Sequence, residues 1–157
     1  MIEKSQKRYK KPELVSPAGS MDKLKTAIEY GADAVYAGGK DFSLRNSAAN
    51  FTLDEIGSAV EYVHERGKKL FITLNIFAHN CHTSKMEQYL KELAGYPVDA
   101  VIIADPGVLS LVRDIMPDTA CHISTQANCT NTRAADFWYK QGRSEERRVG
   151  KECRSRW

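Results

Sequence analysis

Five polar side chains stand where short apolar runs give out. Ser43 and Arg45 lie in the long segment Lys40–Phe51 that follows the run Ala34–Ala37. Asn75 ends the run Lys69–Asn75, His79 comes four residues later, and Gln126 ends the run Cys121–Gln126. An arginine fork suits an anionic substrate, and a histidine serves as an acid–base group or a stacking ring. Asn and Gln amides offer a donor and an acceptor together. His79 is the one candidate for a catalytic group, and Ser43, Arg45, Asn75 and Gln126 are candidates for substrate binding. Each has a plainer role open to it: a surface ion pair for Arg45, loop packing for His79, polar filling of a strand layer for Asn75 and Gln126.

Other polar residues point away from chemistry. Asp105 precedes Pro106, the order of a helix N-cap followed by an N1 proline. His122 falls within a strand and His64 on a helix, so both are expected to be structural. His79, Cys81 and His82 make a short HNCH cluster that could take a metal, but an exposed loop is the expectation at this spacing. Cys81, Cys121, Cys129 and Cys153 form no CxxC pair, so reduced thiols in a cytoplasm and no metal site in this chain are expected. P-loop, GxSxG and HExxH motifs are all missing.

The elements that must position these residues read as alternating strands and helices. Glu13–Ala18, Ala34–Ala37, Lys69–Asn75, Ala100–Ala104 and Cys121–Gln126 are short, apolar and often β-branched, as parallel strands buried on both faces are. Between them apolar residues recur at helical spacing, as at Leu53, Ile56, Val60 and Val63. Thr52 with Glu55, and Ser84 with Glu87, have capping-box spacing. Gly31, Gly67, Gly95 and Gly142 stand where helix ends favour positive φ. A faint repeat, GADAV at 31–35 and PVDAV at 97–101, recurs after two strand–helix units. That period suits a (βα)8 barrel, in which alternate strands are equivalent. The expected fold is therefore α/β, a partial TIM-like (βα)8 barrel of about five βα units. A doubly wound sheet is the competing architecture, but Ser16–Ser20 lacks the GxGxxG spacing of its dinucleotide form. In a barrel the strand C-termini carry the chemistry.

Composition and charge narrow the rest. The chain has 157 residues, 42% hydrophobic and 27% charged, which is globular composition with room for one ordinary domain. No apolar run reaches the ~18 residues of a membrane span. The basic start, residues 1–11, has no apolar stretch behind it like that of a secretory signal. The net charge of +3 resides in the tail, because residues 143–157 hold six basic and three acidic side chains. Residues 12–142 carry 12 basic and 16 acidic residues, so bulk charge gives no argument for nucleic acid. The tail RSEERRVGKECRSRW has no apolar period and resembles a translated sequencing adapter, codon for codon. It is expected to be non-native, which divides the chain into a basic extension (1–11), a truncated barrel domain (12–142) and the tail (143–157).

Several strings together resemble the N-terminal part of peptidase family U32: PELVSPAGS (12–20), GADAVYAGG (31–39), FSLR (42–45), NFT (50–52), HERGKK (64–69), DPG (105–107), HISTQAN (122–128) and Phe137-Trp138. The resemblance implies a βα barrel and, by the family's name, a collagenase-like peptide hydrolase. Other members resemble oxygen-independent hydroxylases of transfer RNA, ribosomal RNA or a ubiquinone precursor, which use an iron–sulfur cluster and prephenate. The strings are most similar to the branch that hydroxylates the wobble uridine of tRNA. Ser43 stands where the ubiquinone branch carries a cysteine ligand, which argues against that branch. Cys81, Cys121 and Cys129 match no cluster cysteine, and the resemblance puts most of those ligands beyond this stretch. It implies tRNA as partner and a cytoplasmic enzyme, with a peptide substrate or an inactive fragment as alternatives.

Overall fold

In the computed structural model, which describes residues 12–43 and 50–141, strand and helix alternate throughout. The order is β1 (Val15–Ala18), α1 (Met21–Glu29), β2 (Ala34–Gly38), α2 (Leu53–His64), β3 (Lys69–Leu74), α3 (Asn80–Leu93), β4 (Ala100–Ile103), α4 (Pro106–Ile115), β5 (Ala120–Ile123) and α5 (Thr132–Lys140). All four strand pairings are parallel and the strands lie in the consecutive order β1-β2-β3-β4-β5. A doubly wound sheet reverses direction at a switch point; this one does not, so five βα units of barrel type are present.

The strands bury one face far more deeply than the other. Val35 and Ala37, Leu70, Ile72 and Leu74, Val101 and Ile103, and Cys121 and Ile123 all belong to the main core with the inward residues of the helices. Leu24, Ile56, Leu90 and Leu93 have no exposed surface, and each such side chain contributes ~1.5–3 kcal/mol by leaving water. The opposite face carries a small separate cluster of Ala34, Phe71 and Ala100, flanked by Tyr36 and Ile102. His122 packs there edge-on to Phe71, with ring centroids 4.7 Å apart.

The helix starts are set locally. The Glu55 N–H donates to Thr52 Oγ1 at 3.2 Å and the Thr52 N–H to Glu55 Oε2 at 2.7 Å, which completes the expected capping box. Asp105 caps α4 by accepting from the Gly107 and Val108 N–H groups at 2.7 and 3.1 Å, with Pro106 at N1. The Ser84–Glu87 expectation fails, because α3 already begins at Asn80. There His82 Nδ1, at N3, accepts from the N–H of the N-cap His79 at 3.1 Å and does the work assigned to Glu87. Gly31 and Gly67 have φ of +94° and +63°, whereas Gly95 is not in the positive-φ region. Gly142 lies outside the described residues.

The repeat at Asp33 and Asp99 has a structural meaning. Asp33 Oδ2 accepts from the N–H of Leu14, just before β1, at 3.0 Å; Asp99 Oδ2 accepts from the N–H of Leu70 in β3 at 2.8 Å. Each also pairs with a side chain between the end of α2 and the start of β3, His64 on the last turn of α2 for Asp99 and Lys68 just before β3 for Asp33, both at 3.0 Å. The two aspartates thus fasten the N-terminal ends of β1 and β3 by the same device, two units apart. Among the described residues no helix is long and apolar enough to cross a membrane.

Candidate active site

Parallel order places every strand's C-terminus on one rim, and the polar residues gather there. Thr73 and Asn75, two positions apart on the lightly buried face, connect two groups of side chains. On the β2 side, Thr73 Oγ1 donates to the Ala37 carbonyl at 3.2 Å and lies 3.1 Å from Ser43 Oγ. Ser43 is buried. Its approach depends on Gly38, where a Cβ would come within 2.6 Å of the Ser43 hydroxyl. The loop base is closed by the Phe51 N–H to the Gly38 carbonyl at 3.0 Å and by Asn50 Nδ2 to the Gly39 carbonyl at 3.2 Å. Arg45 belongs to the segment 44–49, outside the described residues.

On the β5 side, Asn75 Nδ2 donates to Ser124 Oγ at 3.2 Å and to Gln126 Oε1 at 3.1 Å. Ser124 also hydrogen-bonds Gln126 Oε1. β4 lies between these residues and gives out before Ala104, so the side chains meet across its end. The expected run Cys121–Gln126 is corrected here: β5 stops at Ile123 and residues Thr125–Ala127 form a 3-10 turn. The Ser124 N–H makes the last bond to β4, at the Ile103 carbonyl (2.7 Å), and the chain then turns on its own carbonyls. That turn swings Gln126 over the rim. Its Oε1 accepts from its neighbours, while its amide NH2 has no partner among the described residues.

Asn75 and Gln126 are therefore brought together as one amide pair, while Ser43 bonds Thr73, two residues before Asn75. His79 stands apart, exposed at the start of α3 with its ring 5.7 Å from that of His82. Ser124 and Thr73 were missed by the sequence reading, although Thr73 precedes Asn75 by the strand period of two and Ser124 lies inside HISTQAN. Behind the rim, on the helix side, a Cβ at Gly39 would overlap the Tyr89 hydroxyl. Burial, with a smaller contribution from the Asp41 charge, pushes the Tyr89 phenol pKa well up.

The described residues do not fit an iron–sulfur cluster. Cys81 is exposed on α3 while Cys121 is buried against the helices, where burial raises its thiol pKa. No group of three or more His, Cys, Asp or Glu among the described residues could hold a metal ion.

Residues 19–146 match the family described as Peptidase family U32. The chain is 45% identical over 133 residues to "tRNA hydroxylation protein P1" of Bacillus subtilis, covering 85% of this chain and 32% of that protein. It is 39% identical over 132 residues to "tRNA hydroxylation protein P" of Escherichia coli, covering 84% of this chain and 29% of that protein. It therefore spans about a third of the length of these curated relatives. The U32 peptidase Mk0906 superposes with a TM-score of 0.68 at 18% identity, over 87% of this chain and 59% of that one. The matched stretch takes in all of the rim just described, and the chain belongs to peptidase family U32.

Proposed function

We propose that this chain is the N-terminal part of an enzyme that hydroxylates a uridine of tRNA at C5. The observation that carries the reading is 45% identity across 85% of the chain to a protein named for tRNA hydroxylation. The rim is suited to that substrate, because an amide pair can both donate to and accept from the polar edge of a base. In this reading Asn75, Gln126 and Ser43 bind and orient the base, Arg45 takes a phosphate, and His79 holds or moves a proton at the edge of the site. The family resemblance adds an iron–sulfur cluster and prephenate as co-substrate. The described residues form no cluster site. A cytoplasmic location agrees with a tRNA substrate.

Peptide hydrolysis is the second reading, favoured by the family's description. It needs a nucleophile beside a base. The described serines of the rim bond otherwise, Ser43 to Thr73 and Ser124 to Asn75 and Gln126.

The test is nucleoside analysis of tRNA from cells without tRNA hydroxylation proteins of their own, supplied with the intact gene. Alanine at Arg45, Asn75, His79 or Gln126 should each lower 5-hydroxyuridine about tenfold or more. No 5-hydroxyuridine from the intact gene, with cleavage of a peptide instead, would replace this reading by the second.

A further inference from the structure

We propose that Phe77, two residues beyond Asn75 of the amide pair, is a stacking platform for an unpaired RNA base; this rests on the tRNA reading above. Ile76 and Ala78 both pack against the main core. Phe77, between them, turns the other way and is 68% exposed. It lies on the rim, two residues after Asn75 and two before His79, and no aromatic ring stands against it among the described residues. An unpaired base has flat apolar faces and a polar edge, and RNA-binding sites take the two with different groups: rings for the face, amides for the edge. Here the ring is Phe77. The edge is met by Gln126, which Asn75 holds and whose own NH2 has no partner among the described residues and supplies a donor. A peptide backbone offers no comparable flat apolar face, so the pairing of an exposed ring with amides favours a base.

Fluorescence anisotropy of a labelled oligouridylate, titrated with the full chain under dilute conditions, tests this. Phe77→Ala should weaken binding about tenfold, within the range for one stacked base, and Phe77→Trp should bind at least as well as wild type because indole stacks strongly. Phe137→Ala removes another exposed ring, on α5, and should change nothing. Thermal unfolding followed by circular dichroism shows that the variants stay folded. If wild type binds and Phe77→Ala binds equally well while Gln126→Ala is weak, the stacking role is overturned and the RNA reading stands. If wild type binds no RNA, the RNA reading at this rim falls and the inference with it. Weak binding by folded Phe77→Trp would also overturn stacking. So would a Phe77→Ala effect confined to self-association, which would assign the ring to a protein contact.

Discussion

Tyr89 keeps its hydroxyl in a place where no described residue receives its proton. The Oη atom is buried without a hydrogen-bond partner among the described residues, while the ring meets Phe42 edge-on at 5.3 Å. A buried hydroxyl without a partner forfeits its hydration and gains nothing in return. Tyr89→Phe keeps the ring packing and removes that cost, so stability should rise by about 1 kcal/mol. The measurement is the urea midpoint at unchanged slope. A fall in stability would mean that the hydroxyl bonds a group outside the described residues. At this same scale the sequence was only partly informative. Asn75 and Gln126 stand at strand ends in plain view, but their contact needs β4 to end early and the chain after Ile123 to turn. Neither is a property of one run of residues. Tyr89 gives no local signal at all, since its isolation depends on a glycine some fifty positions away.

The capping box of α2 joins a local sequence signal to a measurable pH effect. Thr52→Ala removes the side-chain acceptor and should lower stability by about 1 kcal/mol. Hydrogen bonds from the Thr52 backbone and side chain hold the Glu55 carboxyl below its ordinary pKa of 4.5. A carboxyl depressed on folding adds stability that is fully present above the unfolded value and is lost as the pH falls through the folded one. Wild type should therefore lose that increment below about pH 4.5, and Glu55→Gln should show a flatter acid limb. Equal pH profiles for the two would mean that the carboxylate is not held by the cap. Elements of this kind were the most legible part of the chain. Thr52–Glu55 and Asp105–Pro106 mark helix starts because the bonds they make are confined to one turn. The start of α3 was misplaced because a histidine supplies the capping acceptor, outside the usual set of capping side chains. The GADAV and PVDAV strings showed a two-unit period, yet only the fold reveals that their aspartates fasten neighbouring strands.

For the molecule as a whole, the asymmetry of the sheet governs behaviour. The helix-side face is closed by the main core, whereas the other face holds few buried residues. Val15, which pairs with Ala34 of that face, is 42% exposed on the edge strand β1. Exposed apolar surface beside an unpaired strand edge favours association. Residues 1–142 expressed alone should bind a hydrophobic dye, self-associate as concentration rises, and show neither hydroxylase nor peptidase activity. Val15→Lys should reduce dye binding and association together, because a charged edge resists pairing. A monomeric preparation that melts cooperatively, ignores the dye and turns over substrate would contradict this account.

The consecutive strand order also bears on how the chain is made. Every strand pairs with the one synthesised just before it, and in no case does β1 to β4 wait for a distant segment to complete its first ladder. On a ribosome delivering roughly 5–20 residues each second, a βα unit emerges within seconds and finds its docking edge already exposed. The growing end of the sheet is thus always its newest edge, ready for the next strand, and the loop entropy of each docking step stays small. A chain ordered in this way can assemble from its N-terminus as it is translated, with the Asp33 contact to Leu14 in place before α3 exists and the Asp99 contact to Leu70 following as β4 arrives.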